Sequence, residues 1–146
     1  MEKIDLINVL MTDILDNILL IEEKALTSGR EKRPTINETH IIDRIGRRGE
    51  IRMSDISAET GITTASMTVA ADKLEAKGLI TRARDGTDRR VVKLSLTRKG
   101  QAVYRLHSRF HKNMINDFMS DLSGEQESAL LSALEKLRVY LVNFNA

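Results

Sequence analysis

The spacing of apolar residues changes part-way along this 146-residue chain, and that change restricts the folds that it can adopt. Up to residue 77, apolar residues recur every three or four positions, which is typical of amphipathic helices. Residues 79–84 and 90–96 instead have the pattern of two strands, since apolar and polar side chains alternate along the second. Residues 85–88 (Asp-Gly-Thr-Asp) separate them. We therefore expect an antiparallel hairpin whose Asp-Gly pair supplies the positive φ angles that tight hairpin turns favour.

Capping residues and glycines divide the rest of the chain into helices. The first helix spans residues 2–27 and is broken by the stretch from Thr27 to Pro34. Two further helices begin with capping-box spacings, Thr35 with Glu38 and Ser123 with Gln126. The other predicted boundaries are Gly46 and Gly49 at the end of the second helix, Ser54 and Gly61 around the third, Thr63 and Lys77 with Gly78 around the fourth, and Thr97 to about Asp121 for the fifth. The predicted order is α-α-α-α-β-β-α-α.

Charge is distributed unevenly, although the 23 Lys and Arg residues exceed the 21 Asp and Glu residues by only two. Residues 77–112 hold eleven bases and two acids, whereas residues 1–29 hold six acids and two lysines. A basic middle between acidic ends indicates a face for a polyanion, and a merely solvated basic surface is the alternative. The sequence has no cysteine, which excludes disulfides, thiolate zinc sites and cysteine nucleophiles. No apolar run approaches the roughly 20 residues of a membrane span, so we expect no membrane partner and a cytoplasmic location.

The third and fourth helices and the basic hairpin follow one another in the order of a winged helix-turn-helix. In that arrangement the start of the second helix enters the major groove of DNA, where hydroxyls bind phosphates or base edges and methyls contact thymine. A polar surface helix is the alternative, but the clustered hairpin arginines favour DNA. The predicted DNA-binding residues are Thr63, Thr64, Ala65, Ser66, Thr68, Val69, Lys73, Arg82, Arg84, Asp88, Arg89 and Arg90.

A resemblance to the MarR family of bacterial transcription regulators rests on residues 74–80 (LEAKGLI), 88–90 (DRR) and 96–100 (LTRKG). The family pattern of Asp-x-Arg followed by Leu-Thr-x-x-Gly is matched by the last two segments. The resemblance implies a homodimer and a wing arginine in the minor groove, which would be Arg90, oriented by Asp88. A dimer in turn predicts a near-palindromic double-stranded operator.

The same resemblance divides the single domain, residues 1–146, into two functional parts. Residues 1–34 and 97–146 would supply the dimerisation helices, and residues 35–96 would form the winged helix-turn-helix lobe. One departure from many members is that Val69 and Asp72 occupy the recognition helix where those members have arginines. We therefore expect groove contacts through hydroxyls and methyls, with more of the affinity supplied by the wing.

Residues 88–97 and 104–112 are similar to the MarR branch that represses fatty-acid synthesis in Gram-positive bacteria, as are residues 21–23 and 40–46. That branch implies a long-chain acyl group on acyl carrier protein as corepressor. Arg105, Arg109 and Lys112 are the predicted docking residues, since the carrier protein is acidic. The acyl chain needs an apolar pocket, although ordinary core packing is the alternative for each lining residue. The predicted effector-pocket residues are Ile14, Ile18, His40, Ile41, Arg44, His107, Phe110, His111 and Met114.

The histidines raise a second possibility, because His107 and His111 are four residues apart and so share one helix face. Such a pair can ligate zinc, with His40 and Glu38 as further ligands, and zinc-responsive members of the family place ligands in this region. The alternative is that the imidazoles hydrogen-bond across the helix junction or line the effector pocket. We favour that alternative, since the spacing of one histidine pair is weak evidence for metal. We therefore expect no metal and no other cofactor.

Catalysis has no support in the sequence. It contains no G-x-S-x-G, P-loop, G-x-G-x-x-G or H-E-x-x-H motif, so we expect a protein that is not an enzyme. Two alternatives stay open: a regulator that responds to zinc or to a small aromatic compound, and a module whose basic face docks only an acidic protein. The preferred prediction is a mainly α winged helix-turn-helix repressor of fatty-acid synthesis genes.

Overall fold

The computed structural model of the protein describes residues 1–27 and 33–145. Within these ranges the chain forms α1 (Lys3–Thr27), α2 (Ile36–Arg48), β1 (Glu50–Arg52), α3 (Met53–Thr60), α4 (Thr64–Ala76), β2 (Ile80–Arg84), β3 (Val92–Leu96), α5 (Arg98–Ser120) and α6 (Gly124–Phe144). It divides into two compact units, residues 1–107 and 108–146, and α5 contributes to both. The mainly helical order with a small sheet confirms the predicted fold class. None of the described helices is long and apolar enough to cross a lipid bilayer.

Both predicted capping boxes are confirmed. At the start of α2 the Glu38 N–H donates to Thr35 Oγ1 (3.2 Å) and the Thr35 N–H donates to Glu38 Oε2 (3.0 Å). At the start of α6 the Gln126 N–H donates to Ser123 Oγ (3.3 Å), and the Ser123 N–H donates to Gln126 Oε1 (2.9 Å). The predicted break after the first helix falls largely on residues 28–32, which lie outside the described residues.

Two predicted helix boundaries are wrong, for different reasons. Gly46 does not end α2, which continues to Arg48 and is capped by Gly49. A Cβ at Gly46 would lie 2.6 Å from the Tyr104 ring, so this glycine allows close packing of α2 against α5. Ser54 does not cap α3, because the helix begins at Met53 after Arg52, whose side chain makes no cap hydrogen bond. Strand pairing up to Arg52 fixes the backbone that enters α3.

The sheet contains a strand that the sequence analysis did not predict. β1 pairs antiparallel with β3, and the strand order is β1-β3-β2. Ile51 of β1 and Arg82 of β2 both lie opposite Leu94, the buried residue of the central strand. Three residues are too few to show a two-residue period, so nothing in the sequence marked β1.

The core of the first unit joins α2, α3 and α4 to the sheet. The end of α4 is held by a Schellman motif, in which the Gly78 N–H donates to Glu75 O (2.9 Å) and the Leu79 N–H donates to Leu74 O (3.0 Å). Gly78 has the positive φ of 72° that this motif requires, as predicted for the residue after the helix. The helix-turn-helix and the hairpin therefore share one packed core, formed by Ile41, Ile42, Ile45, Ile51, Ile56, Met67, Ala71, Leu74, Leu79, Ile80 and Leu94.

Two helices leave most of their apolar side chains exposed. In the first unit, α1 exposes many large apolar residues, of which Ile4 (76%) and Leu15 (60%) are the most open within that helix. In the second unit, α6 has no buried residue, and its Leu131 and Phe144 are 62% and 73% exposed. Apolar surface on this scale indicates a partner.

Candidate nucleic-acid interface

The turn between α3 and α4 is formed by three residues. Gly61 adopts the left-handed conformation (φ 71°) and its N–H donates to Ser57 O at 3.0 Å, which ends α3. Thr63 begins α4 by accepting a hydrogen bond at Oγ1 from the Ser66 N–H (3.1 Å), as predicted. α3, this turn and α4 therefore form the predicted helix-turn-helix.

The buried stripe of α4 decides which of its side chains point outward. Met67, Ala71 and Leu74 have no exposed surface and anchor the helix to the core. The opposite face presents the predicted DNA-contacting residues of α4 to solvent, namely Thr64, Ala65, Ser66, Thr68, Val69 and Lys73. The side chains that a major groove would meet at the N-terminal end of α4 are therefore short and uncharged.

Val69 and Thr68 determine which groups this face presents to a partner. Val69 is a large apolar side chain that is 53% exposed, so its methyls are available to an apolar partner such as a thymine methyl. The Thr68 hydroxyl donates to Thr64 O at 3.0 Å, so its proton is engaged within the helix. That leaves Thr68 an acceptor and a methyl to present outward.

The loop between β2 and β3 differs from the predicted tight turn. The last pair of the ladder joins Arg84 to Val92, so seven residues form the loop, and Gly86 does not have a positive φ. The backbone closes the loop at a different place, since the Asp85 N–H donates to Val91 O (2.9 Å) and the Val91 N–H donates to Asp88 O (3.0 Å) around a turn at Arg89 and Arg90. A side chain adds to this, because the Thr87 N–H donates to Asp85 Oδ1 (3.3 Å), which lowers the pKa of Asp85. The neighbouring Lys93 charge lowers that pKa further. The prediction of a positive-φ Asp-Gly turn is therefore wrong, although the hairpin itself is confirmed.

Arg90 projects from this loop in the orientation that Asp88 sets. Asp88 Oδ1 accepts both the Arg90 N–H (3.0 Å) and the Arg90 Nε–H (3.2 Å), and the Arg90 side chain is 92% exposed. Arg84 braces the same loop, since its Nη1 donates to Arg89 O at 2.7 Å. Arg89 is also exposed. The wing tip therefore carries an oriented guanidinium surrounded by further positive charge.

Arg82 differs from the other hairpin arginines because it faces α4. Its Nε and Nη2 donate to the two carboxylate oxygens of Glu75, both at 3.2 Å, and Nη2 lies 2.6 Å from Asp72 Oδ1. The Arg82 side chain is 27% exposed. The structure thus places this predicted DNA-binding residue between the recognition helix and the wing.

A cleft of about 640 Å³ lies among α2, α3 and α4. Three predicted effector residues, His40, Ile41 and Arg44, line it on the α2 side, while Thr63 and Ser66 line it at the start of α4. Arg44 Nη1 donates to Glu59 Oε2 at 2.9 Å across the cleft's α2–α3 side. The volume is within the range of small-molecule sites, and the lining reaches the N-cap of the recognition helix.

A buried carboxylate lies between two of the predicted effector-pocket residues, His40 and His107. Glu22 of α1 is 3% exposed, and its carboxylate lies 3.4 Å from His40 Nε2 and 3.0 Å from His107 Nε2. The other ring nitrogen of His107, Nδ1, lies 2.7 Å from Asp43 Oδ2. Glu22 lies on the apolar stripe of Ile14 and Ile18 in steps of four, so a carboxylate on that stripe was the signal that the sequence analysis missed.

Glu38 does not join these histidines, which corrects the predicted alternative ligand set. Its carboxylate accepts hydrogen bonds from the Thr35 N–H and from Lys77 Nζ, the latter at 2.6 Å. Lys77 also donates to Arg33 O at 3.2 Å, so it ties the end of α4 to the start of α2. Glu38 therefore has a structural role in helix capping and in this ion pair.

Comparisons with known proteins agree with this architecture. Residues 35–92 match the sequence model of the MarR family. The HTH-type transcriptional regulator PchR of Bacillus subtilis (strain 168) is 30% identical over 67% of this chain, and the match spans 60% of that regulator. The Streptococcus pneumoniae FabT structure, in complex with DNA, is 38% identical over 97% of this chain and 99% of FabT, with a TM-score of 0.92. The chain belongs to the MarR family.

Two further matches agree with the family and the fold of this MarR protein. The HTH-type transcriptional repressor MdtR of B. subtilis (strain 168) is 27% identical over 73% of the chain and 68% of MdtR. The Staphylococcus aureus MepR–DNA complex, at 21% identity and a TM-score of 0.73 over 91% of this chain and 96% of that one, shares the fold. This MarR protein is a transcriptional regulator that binds DNA, and its family is not enzymatic.

The other predicted residues of this MarR protein lie elsewhere on the chain. Ile14 is 56% exposed on α1, and Ile18 is half-buried. In the second unit, Phe110 packs edge-on against His111 with ring centroids 5.6 Å apart, and Met114 is half-buried. The predicted docking residues, Arg105, Arg109 and Lys112, are all exposed on α5.

Proposed function

We propose that this MarR protein is a homodimeric repressor of fatty-acid synthesis genes, with long-chain acyl–acyl carrier protein as its corepressor. The observation that carries the proposal is the 38% identity to FabT over 97% of the chain at a TM-score of 0.92. The segments that resemble the fatty-acid branch, residues 88–97 and 104–112, support it independently of the fold.

The dimer is proposed from apolar surface on the two terminal helices. On α1, Ile7, Leu10 and Ile14 are 47%, 50% and 56% exposed in the protomer. On α6, Leu134 and Leu141 are 52% and 46% exposed. Burying such residues contributes roughly 25 cal/mol per Å² of apolar surface, so both helices gain from pairing with a second copy. Residues 1–34 and 97–146 are accordingly the proposed dimerisation helices, and residues 35–96 the DNA-binding lobe.

Each protomer of that dimer is proposed to engage one half-site of a near-palindromic operator. The start of α4 enters a major groove, and the wing loop, residues 85–91, reaches the adjacent minor groove with Arg90 foremost. Half-sites lie about one helical turn apart, roughly 34–36 Å. Arg82 faces α4 and is not among the proposed contacts, which are Thr63, Thr64, Ala65, Ser66, Thr68, Val69, Lys73, Arg84, Asp88, Arg89 and Arg90.

The proposed acyl site includes the cleft lined by His40, Ile41 and Arg44. A chain seated there contacts α2 on one side and Thr63 with Ser66 at the start of α4 on the other. A ligand can act on DNA affinity only if it binds one arrangement of the recognition helices better than another. Contact with the N-cap of α4 supplies such a difference. Arg105, Arg109 and Lys112 are the proposed docking residues for the acidic carrier.

The test is fluorescence anisotropy of the protein on promoter DNA of the fatty-acid synthesis genes from its own genome. Titrations are run with long-chain acyl–acyl carrier protein, with the unacylated carrier, and with neither, all in the presence of a metal chelator. We expect tighter binding with the acylated carrier only. Equal affinities in all three titrations would refute the corepressor while leaving DNA binding intact.

Two variants separate docking of the carrier from recognition of the acyl chain. Arg109→Glu reverses a docking charge and should abolish the response to the carrier while leaving basal DNA affinity unchanged. Ile41→Val removes one methylene from a cleft-lining side chain that also belongs to the core, and it should reduce the response to the acyl group in a variant that circular dichroism shows to be folded. Lys136→Glu, an equal charge reversal on α6, is the matched control, and a loss of response in this variant would show that net charge alone drives the effect.

A zinc-responsive regulator is the second candidate, and the Glu22 junction is the observation that favours it. A carboxylate shared by two imidazole nitrogens, with Asp43 beside the far nitrogen of one imidazole, is the ligand chemistry and outer-shell support that Zn²⁺ takes in proteins. Glu22 and His107 would hold the ion, and His40 lies beside the same carboxylate. Zinc titration against a competing chelator tests this: Glu22→Gln should lose binding and Glu38→Gln should keep it. Equal affinities in the two variants would remove this candidate.

A further inference from the structure

Arg82 occupies an unusual position for an arginine of a DNA-binding wing. It lies on β2, and its guanidinium makes a two-pronged contact with Glu75 of α4, each N–O distance being 3.2 Å. Its Nη2 also lies 2.6 Å from Asp72 of the same helix. Arg82 is 27% exposed, whereas Arg90 at the wing tip is 92% exposed. One side chain thus reaches from the wing to two residues of the recognition helix that lie three positions apart.

The guanidinium of Arg82 and the two carboxylates stabilise one another's charged forms. Hydrogen bonding to Arg82 lowers the pKa of Glu75, and hydrogen bonding to Glu75 and Asp72 raises the pKa of Arg82. With two carboxylates for one guanidinium, the cluster has no positive charge to spare for a phosphate. A planar guanidinium that bridges two carboxylates also fixes the orientation of the arginine side chain relative to both of them, which an ammonium group could not do equally well.

We propose that Arg82 is a positioning residue that sets the wing against the recognition helix and makes no phosphate contact. The inference rests on the DNA-binding interface proposed above. The backbone joins α4 to β2 only at the Lys77–Leu79 turn, whereas Asp72 and Glu75 lie further back along the helix. The Arg82 contacts therefore add a second tether, which stops the hairpin from pivoting about that turn. Major-groove and minor-groove contacts need this angle to be constant if they are to form together.

The salt dependence of DNA binding distinguishes a tether from a phosphate contact. Each lost phosphate contact lowers the slope of log affinity against log salt concentration by about 0.9. The assay uses the full-length protein and a duplex that it selects from a randomised pool. For Arg82→Ala we expect affinity about 10-fold lower with an unchanged slope. A slope reduced by about 0.9, or an unchanged affinity, would overturn the proposal.

The sign of the effect of Glu75→Gln is a second test. This substitution removes a negative charge near DNA, so electrostatics alone predicts tighter binding. The tether predicts weaker binding by several-fold, because Arg82 loses its strongest partner. Equal or tighter binding by Glu75→Gln would overturn the proposal.

Two controls keep these outcomes interpretable. Circular dichroism at the assay temperature establishes that each variant is folded, and titrations are run well below the midpoint of its thermal unfolding. Arg90→Ala is measured in parallel, because it tests the wing contact itself regardless of what Arg82 does. An unchanged affinity in Arg90→Ala would count against the proposed interface, while the Arg82→Ala slope and the Glu75→Gln sign decide the tether.

Discussion

Replacing Gly100 with alanine tests whether the base of the wing is as closely packed as the structure indicates. Gly100 lies in the first turn of α5, where its N–H donates to Thr97 Oγ1 at 3.0 Å. A Cβ at this position would lie 2.0 Å from the Leu79 carbonyl oxygen and 3.0 Å from its carbon. Both atoms belong to the backbone of the residue just before β2, so no side-chain rotation can relieve the clash. The backbone of α5 or of β2 has to move by more than 1 Å.

The expected cost combines three effects. Forcing atoms into a packed region costs about 1–3 kcal/mol. The Leu79 oxygen also accepts the Thr97 N–H at 3.1 Å, and losing that hydrogen bond costs about 1 kcal/mol. The higher helix propensity of alanine offsets up to about 1 kcal/mol of this destabilisation. The net destabilisation is about 1–3 kcal/mol, which for a chain of this size lowers the midpoint of thermal unfolding by roughly 3–10 °C.

Thermal unfolding is followed by circular dichroism at a fixed protein concentration, because a dimer makes the midpoint depend on concentration. Gly124→Ala is the matched control: Gly124 begins α6, and a Cβ there meets no atom within 4 Å. The control should be neutral or slightly stabilising. A midpoint for Gly100→Ala equal to that of the unmodified protein would refute the packing argument.

Three other perturbations have expected outcomes. Arg90→Ala should weaken operator binding by about 1–3 kcal/mol and leave the dimer intact by sedimentation, and an unaltered affinity would exclude Arg90 from the minor groove. Arg48 and Arg44 lower the pKa of Glu59 below its usual 4.5, so their stabilisation is present above pH 4.5 and disappears as the pH falls through the lower, folded-state pKa. The difference in urea midpoint between the unmodified protein and Glu59→Gln should therefore shrink at acid pH, and a constant difference would contradict the ion pair. Ile7→Asp should shift the dimer toward monomer in sedimentation equilibrium, and an unchanged dimer would remove α1 from the interface.

The sequence predicted features that depend on short stretches of chain. The capping boxes at Thr35 and Ser123 form within four residues, and Gly61 and Gly78 end helices for local conformational reasons. The order of the six helices and the two hairpin strands, and with it the winged helix-turn-helix class, followed from the apolar period. The outward face of α4 also followed, because its buried stripe recurs in steps of three and four around Met67.

Features that depend on residues far apart in sequence were not predictable in this way. β1 exists because it pairs with β3, some forty positions away, and Gly46 is required by the ring of Tyr104 on another helix. The wing loop is a separate, local error of prediction, because the chain turns at Arg89 and Arg90, with side-chain acceptors on Asp85 and Asp88, and not at the Asp-Gly pair.

The charged residues show most clearly the difference between what local sequence predicts and what the tertiary structure decides. Local sequence assigned Arg82 to DNA because it is a basic residue on the hairpin, and left Glu38, two positions from His40, as an alternative metal ligand. The tertiary structure instead brings Arg82 to Asp72 and Glu75, and Lys77 to Glu38. The physical reason is that periodicity and capping are set by neighbours along the chain, whereas the partner of a charge is set by which elements pack together. The sequence alone therefore determined the helices and the hairpin, and the tertiary structure decided that β1 forms and which charged side chains pair with one another.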